Sequence, residues 1–439
     1  MKIKFTKSHV FSILVANMIG TGVFTSLGFQ VIGISSGFAI LLLWVIGGLM
    51  ALLGSLCYSM LGIALPRSGG EYNYLSQIYH PIVGFLSGWV SLIIGFSAPI
   101  AAAAFAFGIY LTNFSKMYLH QYNISINPLH SAITIVFLLT IINVFNKKIG
   151  AEFQKVFTIT KVAIILLIII VGIVFSTNTN VNYTINAFTI KNILSPEFCI
   201  AMFFVTYSYS GWNSVSYISG EIVDANRNLP FSLITGTLFV CILYVLLNFV
   251  FLKVIPIDQM AGVLDIGYLF SNKVLGISFG GIMSLAICVL LISSINSMII
   301  VGPRVSMIIG EDYKKLKFFS LINSKEVPYV SIIIQSILAI LYILTASFES
   351  LIIYVGFIIT VFSFLTVLGL FFYSKDDQKT KDMFKSFGYP FVPIIFLMFN
   401  LWIMIYGLIY KPTESLIGLT ICFSGLFLYL FVYKKRIIL

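Results

Sequence analysis

Charge is scarce in this sequence: Asp, Glu, Lys and Arg together make up 9% of 439 residues, while 59% are hydrophobic and the mean hydropathy is +1.04. So little charge excludes a water-soluble globular domain, because most of the surface would offer water nothing to bind. Histidine is sparse as well, and His9, His80, His120 and His130 fall near the ends of apolar runs or between them. The five cysteines, Cys57, Cys199, Cys241, Cys288 and Cys422, lie inside apolar runs with neither metal-ligand spacing nor a disulfide framework, so they read as small core residues. There is no HExxH pattern, no paired carboxylates within a run and no nucleophile–base constellation, which argues against an enzyme. No metal and no cofactor are expected.

The formal charge of +11 would suit nucleic acid, yet the basic residues form short clusters between apolar runs, where membrane topology explains them. No nucleic-acid partner is expected. What the chain has in abundance is long apolar runs, near 8–33, 38–65, 81–112, 129–145, 153–175, 197–222, 230–254, 274–308, 329–346, 350–373, 391–410 and 414–433. A span needs about 20 apolar residues, and in lipid every backbone N–H and C=O must be satisfied within the segment. The expectation is an all-α membrane protein of about 12 transmembrane helices with the lipid bilayer as its solvent. The first run continues past any cleavage site into Gly20-Thr21-Gly22, so it is expected to stay in the protein. With both termini cytoplasmic, the inner segments hold 20 Lys and Arg and the outer ones 5, which predicts that orientation in the cell (inner or plasma) membrane.

Two runs are wrong for plain helices. The first carries Gly20-Thr21-Gly22 and the sixth Tyr207-Ser208-Tyr209-Ser210-Gly211-Trp212-Asn213, where lipid favours leucine. Glycine costs roughly 1 kcal/mol in a helix interior relative to alanine. Small residues often only let helices pack closely. Here the interruptions open two successive five-helix units, the sequence pointer to an inverted-repeat transporter whose site lies at the breaks. The units are expected over 1–175 and 197–373, with a further helix pair over 391–439.

An unwound stretch at Gly20, Thr21 and Gly22, entered through Met18 and Ile19, would point N–H groups at an anion such as a carboxylate. One around Tyr207, Ser208, Tyr209, Ser210 and Gly211 would present carbonyls to an ammonium. Together they read as a main-chain cradle for an α-amino acid. No Asp or Glu falls within either break, against a cationic side-chain pocket. Tyr207 and Trp212 are candidate gates and Asn213 a candidate substrate contact, with core packing the plain alternative. Lys161, deep in the fifth run, costs at least a few kcal/mol unless it faces a partner or cavity, or snorkels to the interface. Glu221 and Asp224 are expected to pair with Arg67 or Arg227.

Five stretches then carry a resemblance: Ile19-Gly20-Thr21-Gly22-Val23-Phe24, Leu65-Pro66-Arg67-Ser68-Gly69-Gly70-Glu71-Tyr72, Tyr209-Ser210-Gly211-Trp212-Asn213, Arg227-Asn228-Leu229-Pro230 and Gly302-Pro303-Arg304-Val305. In order and spacing they resemble the amino acid–polyamine–organocation transporters, and within them the L-type neutral amino acid exchangers. The resemblance implies the 5+5 inverted-repeat, leucine-transporter-type fold with two extra C-terminal helices. It implies sodium-independent transport by alternating access, the substrate carboxylate at residues 20–22, its amino group near Tyr207, Ser210 and Gly211, and Lys161 in place of a sodium ion. Two departures stand out. Met60 occupies a position where the family often has glutamate, and the loop 113–128 lacks the cysteine through which eukaryotic relatives join a heavy chain, so no disulfide-linked heavy chain is expected. A proton-coupled amino acid or polyamine permease and a transport-inactive sensor remain the alternatives; oligomeric state is left open.

Overall fold

The computed structural model describes residues 4–118, 126–145, 147–175, 181, 183–345, 348–373, 385 and 387–433. Among these the backbone is helical, apart from connections and one bridge between Phe5 and Ile222. All twelve apolar runs fall on helices. Among the described residues, ten helical segments are long and apolar enough to cross a membrane: 7–25, 37–64, 81–118, 128–145, 152–174, 225–254, 279–312, 355–372, 391–410 and 412–432. The sixth run is the second half of a bent pair, Ala187–Ile193 with Pro196–Glu221, which turns through 59°. The ninth, Tyr329–Thr345, is apolar but shorter, at 17 residues.

The first span is α1 (Lys7–Met18), α2 (Gly22–Thr25) and α3 (Leu27–Gln30). Next come α4 (Gly37–Ala64), α5 (Glu71–Ile78) and α6 (Pro81–Val90). Ser36 caps α4 by accepting a hydrogen bond from the Ala39 N–H at 3.3 Å. A π-turn, Ser91–Gly95, joins α6 to α7 (Ser97–Tyr118) without ending the span, and the Ser97 hydroxyl bonds the Leu92 carbonyl at 2.8 Å. Then follow α8 (Pro128–Phe145), α9 (Lys147–Val174), the short α10 (Ala187–Ile193) and α11 (Pro196–Tyr209). Ser195 and Pro196 give α11 a capped start, and a 3₁₀ segment, Ser214–Glu221, continues it.

The second half holds α12 (Ala225–Val254), α13 (Ile257–Met260), α14 (Ile266–Leu275), α15 (Ile277–Val301) and α16 (Pro303–Asp312), then α17 (Tyr329–Thr345), α18 (Phe348–Phe372), α19 (Phe391–Tyr410) and α20 (Pro412–Val432). Within the bundle α12 packs along α4, α15 along α7, and α1 against α9, α12 and α15. α1 is central, with Val10 and Ile13 to Val15 buried. The last two helices are peripheral. Phe391, Met398, Phe427 and Phe431 on them are largely exposed, the expected state of side chains that face lipid.

Candidate functional site

α1 stops at Met18. Ile19 takes φ −77°, ψ 82°, and the Gly20 N–H turns back to the Met18 carbonyl at 2.8 Å, an inverse γ-turn where a helical bond would have been. The chain becomes helical again at Gly22, so the first N–H groups of α2 have no partner within the helix. The carbonyls freed by the break are taken up from three directions. Lys161 on α9 donates to Ile19 at 2.5 Å and to Ala16 at 3.3 Å, and its third bond goes to the Ser294 hydroxyl on α15 at 2.7 Å. Ser294 itself donates to the Ile19 carbonyl at 2.7 Å, and Tyr244 on α12 donates to Met18 at 2.6 Å. Lys161 is fully buried: it does not snorkel, and its three donors are spent on this knot.

The other interruption follows Tyr209. Ser210 (φ −54°, ψ 156°) leaves the helix, its N–H bonding the Tyr207 carbonyl, and Gly211 takes φ +89° before the chain resumes as the 3₁₀ segment. The two breaks are in contact. A Cβ on Gly211 would stand 2.8 Å from the Asn17 carbonyl, and one on Gly22 2.4 Å from the Ser208 hydroxyl. Thr21 and Tyr207 bring their hydroxyls to 3.4 Å, and Ser26 and Ser208 theirs to 3.0 Å. Asn17 also bonds Ser297 on α15.

Beside this contact lies a cavity of about 670 Å³, open space at its mouth included, lined by Asn17, Ser210, Gly211, Trp212 and Asn213, by Ser91 and Gly95 of the π-turn and Phe96 after it, and by Glu71. A second hollow of about 440 Å³ shares Ser210, Trp212 and Ile359 with it and adds Gly47, Thr206, Tyr209, Thr360 and Asn400. Trp212 is therefore a wall between the two, its ring 4.7 Å from that of Tyr58.

The sequence-predicted residues divide into groups. Ser210, Gly211, Trp212 and Asn213 line the cavity, whereas Met18, Ile19, Gly20, Thr21, Gly22, Tyr207 and Ser208 do not. The Gly20 N–H is already occupied by Met18, so the donors left at the first break belong to α2's opening turn. Tyr209 is turned toward α4, its hydroxyl on the Trp44 carbonyl at 2.9 Å and its ring against Trp44 and Tyr244. The Ser208 hydroxyl returns to Phe204 at 2.6 Å.

Sequence reasoning missed two groups. Tyr244 gave only a phenol in an apolar run. Glu71 lay in a quoted stretch with no role, yet it accepts from Asn213 at 3.1 Å and brings a carboxylate to the second break from outside it, although no Asp or Glu falls within either break itself. The ion pairs also differ. Arg67 pairs with Asp312 at 2.7 and 3.2 Å, and Glu221 with Arg304 at 3.3 Å, both partners coming from α16.

Two interrupted spans meeting beside a cavity of mixed polar and apolar lining inside an all-α bundle define a membrane transporter, and comparison with known proteins narrows the class. The chain belongs to the amino acid permease family, whose model matches residues 5–432, within the amino acid–polyamine–organocation superfamily. It is 30% identical to the mouse (Mus musculus) b(0,+)-type amino acid transporter 1 over 96% of this chain and 86% of that protein. The human (Homo sapiens) protein of that name is 29% identical over 97% and 87%. The mouse large neutral amino acids transporter small subunit 2 is 26% identical over 95% and 78%. Amino acid transport by a multi-pass membrane protein that is not an enzyme follows from this membership. The expectation of no disulfide-linked heavy chain finds no support here, since one relative is named as a small subunit.

Proposed function

We propose that this protein is a sodium-independent exchanger of small or neutral L-amino acids, working by alternating access in the cell membrane with both termini cytoplasmic. The observation that carries the reading is the meeting of the two breaks beside one cavity that presents both polar and apolar groups. The opening N–H groups of α2, at Thr21 and Gly22, receive the substrate carboxylate, and the carbonyl end of α11, from Tyr207 to Gly211, receives its amino group. Asn213 and Trp212 face the side chain. Lys161 supplies from the scaffold the positive charge that a sodium ion would otherwise bring to the carbonyls of Ala16 and Ile19. The units 1–175 and 197–373 act as inverted repeats about this centre. The loop 113–128 has no cysteine, so a second subunit would be held without a disulfide from that loop.

Reconstitution into liposomes is the test. Labelled L-leucine and L-alanine should enter only when the interior is loaded with unlabelled amino acid, and replacing sodium by choline should leave the rate unchanged. Uptake into empty liposomes at the same rate would remove exchange; dependence on sodium would remove the role given to Lys161.

A further inference from the structure

Glu71 belongs to the connection between α4 and α6, outside the spans, yet it is only 5% exposed and lines the cavity. Three donors from three elements converge on its Oε1: Tyr58 of α4 at 2.5 Å, Asn213 of the second break at 3.1 Å and Ser363 of α18 at 3.3 Å. Tyr217 of the 3₁₀ segment and Tyr74 on its own helix complete the surroundings. Among the described residues, no cation faces it. The rest of the cavity lining is neutral, Arg67 is turned to Asp312, and Arg304 to Glu221. An ionised carboxylate accepts every one of these bonds, and charge-assisted bonds are roughly twice as strong as neutral ones. A protonated one has a hydroxyl of its own to donate and loses the charge that strengthens the others.

We propose that Glu71 is a proton-binding site that sets how firmly the segment after the second break is tied to α4 and α18, and thereby the rate of the transport cycle. The inference rests on the transport reading above. Burial pushes the Glu71 carboxyl up to about 7, against the hydrogen bonds of Tyr58, Ser363, Asn213 and Tyr217, which pull it down. Both forms are thus populated near neutrality. The ionised form pins Asn213; protonation loosens it. Between pH 8 and pH 6 the neutral share rises from about a tenth to about nine tenths, so exchange should quicken by up to roughly ninefold if only the loosened form turns over.

The experiment is homo-exchange of labelled L-leucine or L-alanine in proteoliposomes with equal pH on both sides, from pH 5.5 to 8.5. The wild-type rate should climb as pH falls, with a midpoint near 7. Glu71→Gln should flatten the profile. Ser363→Ala and Tyr58→Phe each take a donor from the charged form, so each should move the midpoint to higher pH. A Glu71→Gln profile that keeps the wild-type shape, or a wild-type rate indifferent to pH, would overturn the proposal. Where Glu71→Gln does not insert, Ser363→Ala decides alone: a shifted midpoint supports the site and an unshifted one removes it. Absence of exchange at every pH in the wild type would sink the transport reading itself, and the proton site with it.

Discussion

At the scale of single residues, the two glycines of the first break have opposite jobs although they are two positions apart. A Cβ on Gly20 would meet only the Met18 carbonyl, at 4.0 Å, so the room beside it is open. A Cβ on Gly22 would lie 2.4 Å from the Ser208 hydroxyl and 2.6 Å from Ser208 Cα, and that backbone cannot step aside cheaply. Gly22→Ala should therefore cost about 1–3 kcal/mol of stability and lower the melting temperature in detergent. Gly20→Ala should melt with the wild type, because the added methyl has room. Thermal unfolding separates the two. The glycine pair was legible as a break, but not this division of labour, because the partner Ser208 is far away in the chain and no local pattern announces it.

At the scale of elements, the first span stays broken because α9, α12 and α15 each send a donor to the carbonyls of residues 16–19. Lys161→Ala would leave buried carbonyls short of a donor, at about 1–3 kcal/mol for each unsatisfied group. It should slow transport at least about tenfold if the broken geometry is what binds substrate. Tyr244→Phe removes a neighbouring donor from the same segment. Residues that share partners do not act additively, so the double variant should lose less stability than the two singles together, by about 0.5–3 kcal/mol. Strict additivity in a double-mutant cycle would mean that the two side chains hold separate structures. Lys161 was readable from sequence because a lysine inside an apolar run demands a partner. Tyr244 was not, since a tyrosine in a span reads equally well as packing.

At the scale of the whole molecule, the apolar runs located each of the ten spanning helices, because hydropathy over about 20 residues is a strong local signal in a lipid solvent, whereas the short helices α5, α10 and α13 fall between runs. Both break positions were legible to within two residues for the same reason, polar and glycine-containing stretches being conspicuous there. Contacts between distant segments were not. Asn213 to Glu71, Arg67 to Asp312 and Arg304 to Glu221 arise from how the helices are arranged, which periodicity does not encode. The excess of inner Lys and Arg predicts orientation as well. With the five native cysteines replaced, a cysteine at the exposed Lys325 should react with a membrane-impermeant maleimide only in inside-out vesicles, and one at the exposed Lys273 only in intact cells. The reverse pattern would invert the topology.

Lys161 carries one last consequence. A cation that is part of the polypeptide has no concentration and no reversal potential, and it is never released to either compartment. A zwitterion swapped for another zwitterion past such a fixed charge moves no current, so clamping the liposome voltage should leave the exchange rate where it was. On the proposed exchange, the driving force is then only the difference in composition between the two amino acid pools.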